Sequence, residues 1–456
     1  MKRLVVVLAL LAAWPCAASA QEDQITVPYT RFVLPNGLNV ILHEDHTTPT
    51  VSVNLWYNVG SGREKPGRTG FAHLFEHILF EGSENVPEGK FDEWLEAAGG
   101  SNNGSTNTDR TNYWENVPSN ALALALFLES DRMGHLLGSM SQATVDGQRD
   151  VVKNERRQSY ENRPYGMASL MLDSAMYPAS HPYSWPTIGS MEDLSAASFE
   201  DVVEFFRRYY IPGNASLSIA GDIDVPEARR MVEHWFSDVA GGQAPAPIDA
   251  PVAHLAREKR MMIEDRVQLP RVYLCWLSPA LYAPGDAELD VVSGVLGGGK
   301  TSRLYRRLVY DMQIAQDVNA YQGSGALSSQ FCIVSTARQG HGLSEIEEVI
   351  NEEIERLKRE PPTAREVQRV INQTEASFLD RLERIGGFGG KADQLNAYYT
   401  RTGNPDFFNE DLSRYKGLAP TDIQAVIQTI LNDRRVVLSV VPNGKPELAA
   451  TKPTTD

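Results

Sequence analysis

Residues 67–87 read GRTGFAHLFEHILFEGSENVP, and the meaning of His73-Leu74-Phe75-Glu76-His77 at their centre decides what the chain is. Phe71, Leu74, Phe75, Ile78 and Leu79 recur at helical spacing, so an amphipathic helix with one apolar stripe is expected. Residues four apart lie one turn apart on one face, which lets His73 and His77 hold one metal ion between them. Neutral imidazoles suit zinc, and a catalytic zinc takes three protein ligands and leaves one position open. Glu76 borders that face without being placed to ligate. Its position is inverted relative to the commoner His-Glu-x-x-His order. With nine histidines in the chain such a pair also arises by chance. The five residues alone leave a zinc site and a plain amphipathic helix about equally open.

A third ligand has to come from another element. Glu155, in DVVKNERRQ (150–158), shares a helical face with Val151, Val152 and Ser159 and is expected to point toward the core. A carboxylate there is costly unless paired or metal-bound. Glu161 falls on a different face and Glu115 in a strand, so both are weaker candidates. A surface pair of Glu155 with Arg156 or Arg157 is the alternative, although adjacent helical residues do not face each other.

The rest of the chain sets the context. At 456 residues, 42% apolar and 22% charged, it is long enough for two or three domains with a substantial core. A formal net charge of −16 argues against nucleic acid or anionic membrane as the main partner. Lys2-Arg3, the apolar run LVVVLALLAA and Ala18-Ser19-Ala20 read as an export signal cleaved after Ala20, with the periplasm as destination. The apolar run is about half the ~20 residues needed to span a bilayer. Cys275 and Cys332 remain in the mature chain, each in an apolar strand-like run; a disulfide and two buried thiols are equally compatible with that setting.

The stretch AGGQAPAPIDAPVAH (240–254) has linker composition and divides the mature chain into similar halves. Residues 201–222, DVVEFFRRYYIPGNASLSIAGD, read as helix, turn and strand, and 422–443, DIQAVIQTILNDRRVVLSVVPN, repeat that order at the same spacing. An internal duplication of two α+β units is the economical explanation, although helix-turn-strand is common enough to recur by chance. The expected boundaries are a signal at 1–20, an N-terminal domain at 21–240, a linker at 241–255, a homologous C-terminal domain at 256–446 and a flexible tail at 447–456. In the first half, RFVLPNGLNVILHED is expected to form a hairpin around Pro35-Asn36-Gly37. SNNGSTNTDRTNYWENVP (101–118) is expected to be a strand exposed on one side.

The 67–87 stretch, NNGSTNTDRTNYWENVP and VVKNERRQ together resemble the pitrilysin/insulinase metallopeptidases. The resemblance extends over nearly all of the mature chain, through LGGGKTSRLYRRL (296–308) and RIGGFGGKADQLNAYY (384–399). It implies two homologous α/β-sandwich halves arranged as a clamshell and one zinc per chain. It also implies His73, His77 and Glu155 as ligands, Glu76 as general base, and endopeptidase action on short or unfolded peptides. Substrate is expected to add as a strand to the edge of the N-terminal sheet, at Asn103 with Gly104, Ser105 and Thr106 beside it.

Two departures from the family pattern stand out. Where the family has a glutamate supporting the metal site, seven residues before the third ligand, this chain has Gln148, which contributes no charge. Where active single-chain relatives carry an Arg and a Tyr seven apart, it has Val309 and Gln316. Some bacterial relatives place that pair on a second, metal-free subunit. The expectation is therefore a zinc-bearing subunit of a heterodimer, with a homodimer as the alternative partner arrangement. A non-catalytic scaffold of the same fold is the competing reading.

Overall fold

The computed structural model describes residues 24–450; the expected export signal at 1–20 and residues 451–456 lie outside the described residues. Strands β1 (Thr30–Val33), β2 (Asn39–Glu44), β3 (Thr50–Tyr57), β4 (Ser101–Thr106), β5 (Thr111–Pro118) and β6 (Ala215–Gly221) form one sheet, in the order β1-β2-β6-β3-β5-β4. Strands β7 (Lys259–Asp265), β8 (Arg271–Ser278), β9 (Ala315–Gly323), β10 (Ser329–Ala337) and β11 (Val436–Pro442) form the second, in the order β7-β11-β8-β10-β9. Setting β1 aside, the two orders correspond strand for strand, including one parallel pair in each, β2–β6 and β7–β11. Helix Phe199–Tyr209 leads into β6 as helix Pro420–Ile430 leads into β11, the repeat legible in the sequence. The fold is α+β, in two homologous sheet-plus-helix halves arranged as the expected clamshell.

Each sheet has one face packed by helices of its own half. On the first, Val51, Val53, Leu55 and Tyr57 meet Leu74, Phe75 and Ile78 of helix Phe71–Ile78 and Leu126 of helix Leu122–Ser139. The opposite face is polar, and a helix from the second half, Lys391–Thr402, covers it. Asp393 accepts hydrogen bonds from Trp56 Nε1 (2.8 Å) and Asn112 Nδ2 (2.8 Å), while Asn396 donates to the Asn54 carbonyl (2.8 Å). The exchange is reciprocal. Helix Met167–Met176 of the first half lays Ala168, Leu172, Ala175 and Met176 on Tyr273, Cys275, Cys332, Leu438 and Val440 of the second sheet. Cys275 and Cys332 sit directly opposite each other on β8 and β10 and form a disulfide.

Asp173 lies within that second joint, accepting one hydrogen bond from Gln330 Nε2 at 3.2 Å, and burial pushes its carboxyl up to about 7. Because the folded-state value is raised, Asp173 favours folding fully only below its unfolded range, and that contribution is lost as pH rises through about 7. Thermal unfolding of Asp173→Asn against wild type should show a gap that shifts in the variant's favour between pH 4 and 8, by on the order of 2 kcal/mol.

Three expectations need correction. Residues 101–118 form a hairpin, β4 and β5, instead of one strand, because Asn107 turns the chain by accepting the amides of Asp109 and Arg110 (2.8 and 2.9 Å). Val151 is 44% exposed, so the face it shares with Glu155 is half-buried and only Val152 enters the core. Leu448, Ala449 and Ala450 pack against the second core, where the Ala450 amide donates to Ser439 Oγ (3.0 Å), instead of belonging to a flexible tail.

Candidate active site

Helix Phe71–Ile78 buries Phe71, Leu74, Phe75 and Ile78 against the first sheet, which turns His73 and His77 outward together. Its N-terminus is capped by Glu64 and not by a preceding Ser or Asp: the Glu64 oxygens accept the amides of Gly70 (2.9 Å) and Ala72 (2.8 Å). Complete burial nonetheless pushes this carboxyl up to about 8. Glu155 arrives on helix Gln142–Arg156, just before the helix widens into a π-helical turn, Arg157–Glu161.

The three side chains converge. Glu155 Oε2 lies 3.6 Å from His73 Nε2 and 3.3 Å from His77 Nε2, and one donor atom from each residue falls within 4.8 Å of the others. Among the described residues this is the group of three His, Cys, Asp or Glu able to hold a metal ion. Burial lowers His73 from its ordinary value, keeping the imidazole neutral, while the hydrogen bond from His77 holds the Glu155 carboxyl below the usual carboxylate range. The alternative partners of Glu155 are engaged elsewhere: Arg156 with Glu161 Oε1 (3.2 Å) and the Gly189 carbonyl (2.5 Å), Arg157 with Asn154 Oδ1 (2.7 Å).

Glu76 sits beside this cluster, with Oε2 buried and without a hydrogen-bond partner. Burial raises its carboxyl, and the Thr106 side chain opposes that by favouring the charged form. Thr106 thus faces Glu76, a role that the substrate-contact expectation did not include. Asn103 is exposed on β4, the free edge of the first sheet, with its Oδ1 accepting the Gly104 amide (2.8 Å). Ser105 donates to Asn112 Oδ1 (2.7 Å). Gly104 is buried over rings: a Cβ there would lie 3.1 Å from Tyr113 and 3.2 Å from Phe80, so a side chain fits only if those rings give by a few tenths of an ångström.

Gln148 donates to Glu81 Oε1 at 2.5 Å. Glu81, four residues beyond His77, brings a carboxylate next to the position whose charge the glutamine lacks; only its i+4 spacing from His77 hinted at this. Arg110 is the other residue that sequence reasoning passed over. Its Nη1 donates to the Ser105 carbonyl (2.8 Å) and its charge faces Glu76 and Asp393. Val309 packs against the second core, and Gln316 is exposed on β9.

A His, His and Glu donor set beside a free sheet edge, on a duplicated two-sheet fold, defines the inverted-motif metallopeptidases as a class. The chain belongs to the insulinase family, peptidase family M16: residues 39–185 match the family's insulinase model and 196–374 its "Peptidase M16 inactive domain" model. The zinc protease PqqE of Helicobacter pylori is 27% identical over 82% of this chain and 84% of its own. An uncharacterized zinc protease of Streptomyces coelicolor is 25% identical over 90% and 89%. Among solved structures, a protease from Helicobacter pylori superposes with a TM-score of 0.84 at 25% identity, over 91% of this chain and all of that one. The periplasmic protease PqqL of Escherichia coli shares the fold (TM-score 0.76, 18% identity) over 93% of this chain but 49% of its own.

Proposed function

We propose that the chain is a periplasmic, zinc-dependent endopeptidase of short or unfolded peptides, acting as the metal-bearing subunit of a pair. The observation that carries the reading is the convergence of His73, His77 and Glu155 beside Glu76. Their separations of 3.3 and 3.6 Å approach the edge of a tetrahedron built on zinc-ligand bonds, about 3.4 Å. Two nitrogens and one carboxylate oxygen are also a donor set that catalytic zinc takes. Zinc bound there supplies a Lewis acid that lowers the pKa of a water and polarises the scissile carbonyl.

The chain's own residues do the rest. β4 is the edge strand of its sheet and offers its outer side to an extended peptide, which main-chain bonding fixes with little demand on side chains. Glu76 takes a proton from the attacking water and returns it to the leaving amine. Thr106 ties this base to the edge strand, so substrate and base are held by one element. Export is supported by the signal at 1–20 and by the Cys275–Cys332 disulfide, a bond of oxidising compartments.

Pairing is supported by what stands at 309 and 316. A half-buried valine and a surface glutamine offer no group to a developing oxyanion, a stabilisation typically worth about 3–4 kcal/mol per donor. A partner of the same fold carrying an Arg and a Tyr at those positions would supply it. The match to PqqL over half its length is in keeping with two such units making one enzyme. The test is zinc content and cleavage of an unstructured peptide, for the chain alone and co-expressed with a metal-free homologue bearing that pair. One zinc per chain, with cleavage rising at least about a hundredfold on pairing, is expected. Full activity alone overturns the pairing, and zinc without cleavage under any pairing favours the scaffold reading.

A further inference from the structure

The polar face of the first sheet holds buried polar atoms that the helix Lys391–Thr402 leaves unpaired: Ser218 Oγ stands alone beside Asn54, and three more gather at one corner. Register places Asn103 opposite Trp114, Ser101 opposite Asn116, and Asn116 opposite Ser52, all on the face turned away from helix Phe71–Ile78. Farther along this face Asn54, Trp56 and Asn112 find Asp393 or Asn396. At the corner, Trp114 Nε1, Asn116 Oδ1 and Ser52 Oγ are buried with no hydrogen-bond partner. Buried polar groups are normally paired, and three orphans together mark a place built for something else.

What covers them is the glycine-rich turn 386–390. Gly386 passes so close that a Cβ would lie 1.9 Å from Asn116 Oδ1 and 2.6 Å from Ser52 Oγ, and Gly387 and Gly389 both take φ +74°. At the tip, Phe388 is 40% exposed and stands edge-on to Trp114, ring centroids 5.7 Å apart at 89°. An exposed ring on a glycine turn, beside a second ring one strand in from the free edge, is a binding wall more than a core contact.

We propose that this corner is a subsite for a tyrosine side chain of a peptide held on β4; it rests on the edge-strand reading above. Side chains of an added strand alternate between the two faces, one set toward Glu76 and the metal ligands, the other toward Trp114 and Phe388. A ring entering there lifts the 386–390 turn and lies between the two aromatic side chains. A phenol hydroxyl donates and accepts at once, so it gives its proton to Asn116 Oδ1 and accepts from Trp114 Nε1, with Ser52 Oγ in reach as either. Phenylalanine fills the same space and satisfies none of the three.

The test measures calorimetric binding of alanine-based nonapeptides to the full-length Glu76→Gln chain. One tyrosine is walked through successive positions, with phenylalanine counterparts and the all-alanine parent. At one position tyrosine should bind about tenfold tighter than phenylalanine, and phenylalanine several-fold tighter than alanine. Trp114→Phe should bring tyrosine down to the phenylalanine level, Asn116→Ala should do the same, and Phe388→Ala should weaken both aromatic peptides. Equal binding of all peptides at every position overturns the subsite alone, as does a tyrosine preference that survives both Trp114→Phe and Asn116→Ala. If no peptide binds, the subsite falls together with the peptide-edge reading.

Discussion

Glu76→Gln is expected to lower kcat by about 10³–10⁴-fold while the chain keeps one zinc and its thermal stability. The substitution preserves shape and the contact with Thr106 but removes the proton acceptor. Glu76 is not among the converging donors, so metal content, read by elemental analysis, should not change. His77→Ala separates the two functions from the other side, since it should lose both zinc and activity. A Glu76→Gln variant that retained activity would remove Glu76 from its role as base and leave the site with a metal and no proton acceptor.

The second large effect lies beneath the site. Arg132, on helix Leu122–Ser139, is fully buried between Glu129, to which Nε donates at 2.8 Å, and Glu115 on β5, to which Nη2 donates at 3.1 Å. Its guanidinium also stacks 4.1 Å from the Tyr113 ring centroid and 4.5 Å from that of Phe91. Burial, and then the neighbouring Glu129, push the Glu115 carboxyl well above its ordinary value even with Arg132 present. Arg132→Leu would leave two carboxyl groups buried together without a cation, and should cost about 3–5 kcal/mol, read as a fall in the urea midpoint. Adding Glu129→Gln and Glu115→Gln should recover much of the loss, because the penalty belongs to the uncompensated charge and not to the missing contact. Since Tyr113 pairs with Leu55 and packs beneath Gly104, the single variant should also loosen the free edge of the sheet.

Some of this was legible in the sequence. The His73–His77 spacing, the Pro35-Asn36-Gly37 hairpin and the helix-to-strand repeat are all local patterns, and local patterns survive folding. Glu155 was reachable as a half-buried carboxylate without a helical neighbour to pair with, although periodicity placed Val151 in the core and the structure leaves it at the surface. The Gln148–Glu81 contact was not legible, because it joins helix Gln142–Arg156 to a bend just beyond helix Phe71–Ile78, and no sequence spacing records how the two lie against each other. The polar face of β3 and β5 was harder still. Asn54, Trp56 and Asn112 look like solvent-facing residues of an edge sheet until Asp393 and Asn396, some 280 residues or more downstream, are laid over them.

That overlay bears on how the molecule can be taken apart. The linker at 240–254 is the obvious place to cut, yet a cut there separates residues by sequence and not by packing. A fragment ending at 240 keeps helix Met167–Met176, whose apolar side belongs on Cys275 and Cys332, and lacks the helix that answers its own row of asparagines. The complementary fragment has the opposite deficit. The ancestral duplicates have thus become obligate partners: two genes encoding the pieces would have to be translated together and assemble by exchanging helices, as a swapped dimer does, before either sheet was whole.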